Sequence, residues 1–148
     1  MSVFNHVGQC VSDLDRSRAF YTDVLGFEPW REIEIPDTGS DKLLRLDPPI
    51  GLTACYLRRD GFVLELLHYA GSGAAPRPYR ERVMNDLGLT HVSISVDDID
   101  ETCRSVVEHG GSVLDDTNIG AGVYIRDPDG QLVELLTMDY AKRIAAEG

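Results

Sequence analysis

The chain has 148 residues, 43% of them hydrophobic and 26% charged, with a formal net charge of −11. That length suits one compact domain, or two small half-domains, able to bury a core without disulfide staples. The acidic balance argues against nucleic acid and membrane as partners, since both present negative charge. Cys10, Cys55 and Cys103 are widely spaced, with neither zinc-site nor redox-pair spacing, so reduced thiols are expected. The opening MSVFNHVGQC has no signal-peptide pattern, and no apolar run reaches membrane-spanning length, so a cytoplasmic protein is expected.

In chain order, FNHVGQCV reads as a strand and SDLDRSRAFYTDVLGF as a helix. Ser12 or Asp13 is its cap, Leu14, Ser17, Phe20, Val24 and Leu25 form its inner face, and Gly26 ends it. FEPWREIEI, KLLRL, LTACYLRR and FVLELLHY follow as β segments, the last two joined by an Asp60-Gly61 hairpin turn. GSGAAPRP is a linker. The grammar then repeats. LTHVSISV is a strand and DDIDETCRSVVEHGG a helix, with Asp97 as its cap, Ile99, Cys103, Val106 and Val107 on its apolar face, and Gly110-Gly111 at its end. GSVLDD, AGVYIRD and QLVELLTM are strands, with the DPDG turn at 127–130 between the last two. DYAKRIAAEG is a terminal helix. The pattern is α+β: two βαβββ modules, 1–70 and 85–148, joined by a linker over 71–84 and forming a curved, mostly antiparallel sheet with helices outside. A concave face of that kind is where a ligand would bind.

Strand alternation places Val7 and Val11 on the helix side of the first strand, with His6, Gly8 and Cys10 opposite and Gln9 as an exception. In the second copy Thr90, Val92, Ile94 and Val96 face the helix, and His91, Ser93 and Ser95 face away. Glu65 and Glu134 sit at matching places in FVLELL and QLVELL, inside strands otherwise apolar on both faces. A carboxylate there is costly unless paired or bound to a metal, and no Lys or Arg lies in either strand. Singly, each histidine reads as a hydrogen-bonded core residue and each glutamate as edge-facing. The repeat changes that weighting. Two-fold-related units would bring His6, Glu65, His91 and Glu134 to one point, a donor set suited to a divalent transition metal with water in its open positions.

HVGQCVSDLDRSRAFYTDVLGF, FVLELL, GLTHVSISVDDID and DPDGQLVELL together resemble the vicinal oxygen chelate superfamily, which includes glyoxalase I, methylmalonyl-CoA epimerase, extradiol dioxygenases and bleomycin- or fosfomycin-resistance proteins. The resemblance implies that paired βαβββ modules form a cup and that the ligand positions fall on His6, Glu65, His91 and Glu134. It implies one divalent ion per site (Ni, Co, Zn or Mn), a small-molecule substrate and a homodimer. Glutamate at position 65 matches glyoxalase I-like members, where dioxygenases and fosfomycin-modifying members have His. Cys10 and Tyr69 stand where bacterial glyoxalase I has the Arg and Asn that grip glutathione, so similar chemistry on another substrate is expected. That chemistry is removal of a proton next to a carbonyl through a metal-stabilised enediolate, as in a lyase, isomerase or epimerase, with Glu65 and Glu134 as candidate bases. The alternatives are a metal-free binding or resistance protein, its pocket lined by Trp30, Tyr56 and Tyr124, or an extradiol-type dioxygenase or thiol transferase. Those three aromatics read first as core. Arg58-Arg59 reads as a solvated hairpin tip, Arg77, Arg80 and Arg82 as an exposed connector, and His109 as a helix C-terminal residue favoured by the dipole.

Overall fold

The computed structural model describes residues 1–78, 80 and 83–147, the side chains of 144–147 apart, and the chain divides into two compact units, Met1–Pro78 and Tyr79–Gly148. Arg82 lies outside the described residues. The first unit runs β1 (Val7–Val11), α1 (Leu14–Ala19, continued by a π-helical turn over Phe20–Val24), β2 (Glu28–Ile35), α2 (Asp37–Leu44), β3 (Leu52–Arg59) and β4 (Phe62–Tyr69). The second runs β5 (Val92–Val96), α3 (Ile99–Glu108), β6 (Ser112–Leu114), β7 (Gly122–Arg126), β8 (Leu132–Thr137) and α4 (Met138–Glu147). Each unit has its own four-stranded sheet, ordered β1-β4-β3-β2 and β5-β8-β7-β6. The first strand of each unit runs parallel to the last, and the remaining ladders are antiparallel. Both modules are therefore βαβββ-like mixed sheets with helices.

Asp13 caps α1, its Oδ1 accepting from the Arg16 N–H at 3.0 Å. Ser17, Phe20, Tyr21 and Leu25 are fully buried, as are Leu57, Leu64 and Leu66 of the sheet. The Tyr21 hydroxyl donates to Gln9 Oε1 at 2.9 Å, which explains the polar residue on the helix side of β1. In the second unit Asp98, not Asp97, caps α3, with the Glu101 N–H 2.8 Å from Asp98 Oδ1. Val106 is fully buried, whereas Val107 is 59% exposed and lies off the apolar face.

KLLRL is not a strand. Its Lys42-Leu43-Leu44 belongs to α2, which is kinked at Thr38 and Gly39 and closed by Arg45 in the left-handed region. The Asp37 carboxylate accepts from the N–H groups of Ile50 and Gly51, tying this insertion to the start of β3. Leu44 and Leu46 then pack with Ile35, Leu67 and Tyr69 around Ile50, Leu52 and Ala74. The opening of the GSGAAPRP stretch is part of this unit too, since Gly71 and Gly73 donate to Ile50 and Pro49 carbonyls. A Cβ on Gly71 would lie 1.9 Å from the Pro49 oxygen, so only glycine fits. Asp60 and Gly61 both have positive φ, as a two-residue hairpin turn requires. Arg59 is more than a solvated tip, because its guanidinium donates to the Leu25 carbonyl and fastens the hairpin to the end of the helix.

Candidate functional site

Register, more than any local motif, assembles the candidate site. In the first unit Glu65 on β4 lies opposite Gly8 on β1 and Tyr56 on β3. In the second, Glu134 on β8 lies opposite Ser93 on β5 and Tyr124 on β7. Each histidine precedes its register residue by the same step along the strand, so it shares the face of the glutamate. His6 Nε2 is 2.9 Å from Glu65 Oε2, and His91 Nε2 is 3.7 Å from Glu134 Oε2. Among the described residues no three or more His, Cys, Asp or Glu side chains gather as one metal-holding group; the structure brings together one His–Glu pair in each unit.

The two pairs carry matching supports. His6 Nδ1 lies 2.7 Å from Asn5 Oδ1, and His91 Nδ1 lies 2.9 Å from Thr90 Oγ1. Were a cation held between Nε2 and the carboxylate, the imidazole proton would sit on Nδ1, beside the preceding side chain. Tyr56 and Tyr124 set their rings edge-on to His6 and His91, at centroid distances of 5.9 and 5.4 Å. Each tyrosine also donates its hydroxyl to the glutamate of its own unit. That bond to Glu65, with burial and the Glu65 charge behind it, pushes the Tyr56 phenol up to about 12. The Tyr124 phenol is raised too, first by burial and then by Glu134.

The pairs also differ. The Glu65 side chain is 9% exposed and that of Glu134 25%. Ser93 donates to Glu134 Oε2 at 2.7 Å, whereas the matching position in the first unit is Gly8, where a Cβ would stand 3.5 Å from Glu65 Oε2. Within each unit the histidine and glutamate are two possible donors to a divalent cation. Metal–ligand bonds of about 2.0–2.2 Å at right angles put two donors about 3 Å apart, close to the His6–Glu65 separation.

Read from the sequence, Asn5, Thr90 and Ser93 have no role at the site, and Tyr56 and Tyr124 are first core and otherwise the lining of a metal-free binding pocket. The signal for the tyrosines was present, since CYLRR and VYIRD repeat Tyr, an aliphatic residue and Arg ahead of each glutamate strand. The expectation that these tyrosines and Trp30 are core does not hold. Both tyrosines stand in contact with a candidate ligand pair, and Trp30 is 55% exposed. Tyr69 packs in the Ile50 cluster, which suits a structural residue. The DPDG segment is a turn, with buried Asp127 accepting from the N–H groups of Asp129 and Gln131. His109 Nδ1 reaches the Ser105 carbonyl at the end of α3.

The model of the glyoxalase/bleomycin resistance protein/dioxygenase superfamily matches residues 3–135. The chain belongs to that superfamily. A probable lactoylglutathione lyase of Vibrio parahaemolyticus is 29% identical over 133 residues, covering 85% of this chain and 83% of that protein. The mitochondrial methylmalonyl-CoA epimerase of Bos taurus is 29% identical over 138 residues, covering 88% of this chain and 71% of the relative. Among solved structures, the trypanothione-dependent glyoxalase I of Leishmania major superposes with a TM-score of 0.68 at 26% identity, covering 96% of this chain and 91% of that one. This superfamily member is thus related both to lactoylglutathione lyases and to an epimerase. No described helix is long and apolar enough to cross a membrane.

Proposed function

We propose that His6, Glu65, His91 and Glu134 hold one divalent ion (Ni, Co, Zn or Mn) and that the protein is a lyase, isomerase or epimerase acting beside a carbonyl group. The observation that carries this reading is the repeated arrangement of a histidine, a glutamate opposite a tyrosine, and a side chain on Nδ1, once per unit. Two such pairs at matching register positions are hard to explain by packing alone, because drawing a carboxylate out of water has no packing benefit. Bound there, a divalent cation would supply Lewis acidity toward two neighbouring oxygens of the substrate.

The side chains supply the rest. Tyr56 and Tyr124 hold the carboxylates in place through their hydroxyls, while Asn5 and Thr90 orient the imidazoles. A glutamate takes the proton from the carbon next to the carbonyl. Its return to the neighbouring carbon gives isomerisation, and its return to the opposite face gives epimerisation. The relatives include a protein named as a probable lactoylglutathione lyase and one named as a methylmalonyl-CoA epimerase. A small-molecule substrate and a homodimer belong to the same proposal.

The test is metal content with α-proton exchange. Reconstituted protein is expected to retain about one ion per chain and to exchange the α-proton of a 2-oxo acid, hemithioacetal or acyl-CoA substrate for deuterium. Glu65→Gln and Glu134→Gln should each lower both readouts. A protein that retains none of the four metals after reconstitution would be a binding module instead.

A further inference from the structure

We propose that Trp30 is the platform for an uncharged aryl or bulky apolar arm of the substrate, and so selects arylated carbonyl compounds over small ones. This rests on reading the His–Glu pairs as a carbonyl-activating site. The argument begins in β2, where Pro29 pairs with Leu57 and Arg31 with Tyr56, leaving Trp30 as a bulge residue with no partner of its own. A bulge re-aims side chains, and here the indole lies edge-on to Tyr56, with centroids 6.3 Å apart. Tyr56 in turn lies edge-on to His6, whose Nε2 faces Glu65. A chain of rings therefore leads from the candidate chemistry to an indole that is 55% exposed.

Trp30 also lines an open groove of about 540 Å³ in the first unit, with Glu28, Arg58, Phe62 and Val63. That volume accommodates a ring as well as a methyl group. The charges at the groove are balanced. Arg58 Nε lies 3.7 Å from Glu28 Oε2, and Arg59 Nε lies 3.2 Å from Asp60 Oδ2. With each guanidinium facing a carboxylate, the groove favours a neutral arm over a phosphate or carboxylate tail. Exposed indole surface without a cover is unfavourable, and a planar group laid against it removes that surface from water.

Trp30 is the only tryptophan in the chain, so its emission reports directly on the groove. The full-length, zinc-loaded protein would be titrated with acetohydroxamate and benzohydroxamate, two chelators with the same pair of neighbouring oxygens that differ by methyl against phenyl. Benzohydroxamate is expected to bind about tenfold more tightly and to shift the emission, whereas acetohydroxamate leaves it nearly unchanged. By calorimetry, Trp30→Ala should erase most of that preference while the variant still retains zinc, and Trp30→Phe should keep most of it. Equal affinities in the wild type, or a preference that survives Trp30→Ala, would overturn the inference. So would a blue-shifted emission that depends on protein concentration and ignores both chelators, because a second copy would then cover the indole. Where zinc is not held, the titration uses whichever of nickel, cobalt or manganese is; failure to retain any of the four would overturn the site reading, and this inference with it, whereas a retained metal without an aryl preference would overturn the inference alone.

Discussion

A single hydroxyl ties each tyrosine to its glutamate, and its removal is a clean probe. Tyr56→Phe and Tyr124→Phe are each expected to weaken metal affinity by about tenfold or more, the range for losing a partner of a metal ligand. Competition with a chromophoric chelator would measure this, and an unchanged far-ultraviolet circular dichroism spectrum would separate it from misfolding. The Tyr56 contact also predicts an alkaline effect in the metal-free protein. Its folded phenol is raised to about 12, chiefly by the bond to Glu65, against about 10 in an unfolded chain. The folded state therefore holds that proton more tightly. The stabilisation is intact below about pH 10 and is lost as the pH rises toward about 12. Denaturation curves of wild type and Tyr56→Phe across this window should converge as the pH rises. Thiol reactivity should follow exposure in the same way. Cys55 is buried, and burial pushes its thiol up, while Cys10 is exposed. A disulfide reagent should modify Cys10 well before Cys55.

Elements show where local pattern suffices and where it stops. α3 has two adjacent aspartates at its start, and only the structure distinguishes them, since Asp98 alone accepts from the Glu101 N–H. Asp98→Ala should therefore cost about 1 kcal/mol in urea denaturation, and Asp97→Ala no more than about 0.5 kcal/mol. KLLRL misled because three aliphatic residues in a short run suit either a strand or a helix. What decides for the helix is the tie between Asp37 and the backbone of Ile50 and Gly51, made by residues outside the run. The β2 bulge is likewise invisible locally. FEPWREIEI reads as an unbroken strand, and only pairing with β3 leaves Trp30 without a partner.

At the scale of the whole molecule, an ion bound as proposed would stabilise the folded chain. A saturating ion at about a hundredfold its dissociation constant should add about 2.7 kcal/mol, reversed by EDTA. The melting temperature should rise on metal addition to the wild type and rise less in His91→Ala, whose change lies wholly in the second unit. A shift unaffected by that substitution would count against a shared ion.

The sequence by itself determined the duplication, the two βαβββ modules, the hairpin turns and the histidine and glutamate that pair within each module. Those follow from short-range rules: period-two alternation, glycine and aspartate at turns, and the repetition of HV and VELL. Tertiary structure alone decided that Tyr56 and Tyr124 serve the glutamates, that Ser93 supports Glu134 while Gly8 leaves Glu65 without that donor, and that Trp30 stands exposed beside the site. Each depends on which residue of a distant strand lies opposite. Register between strands is set by the summed packing of a whole sheet, which no short stretch of chain contains.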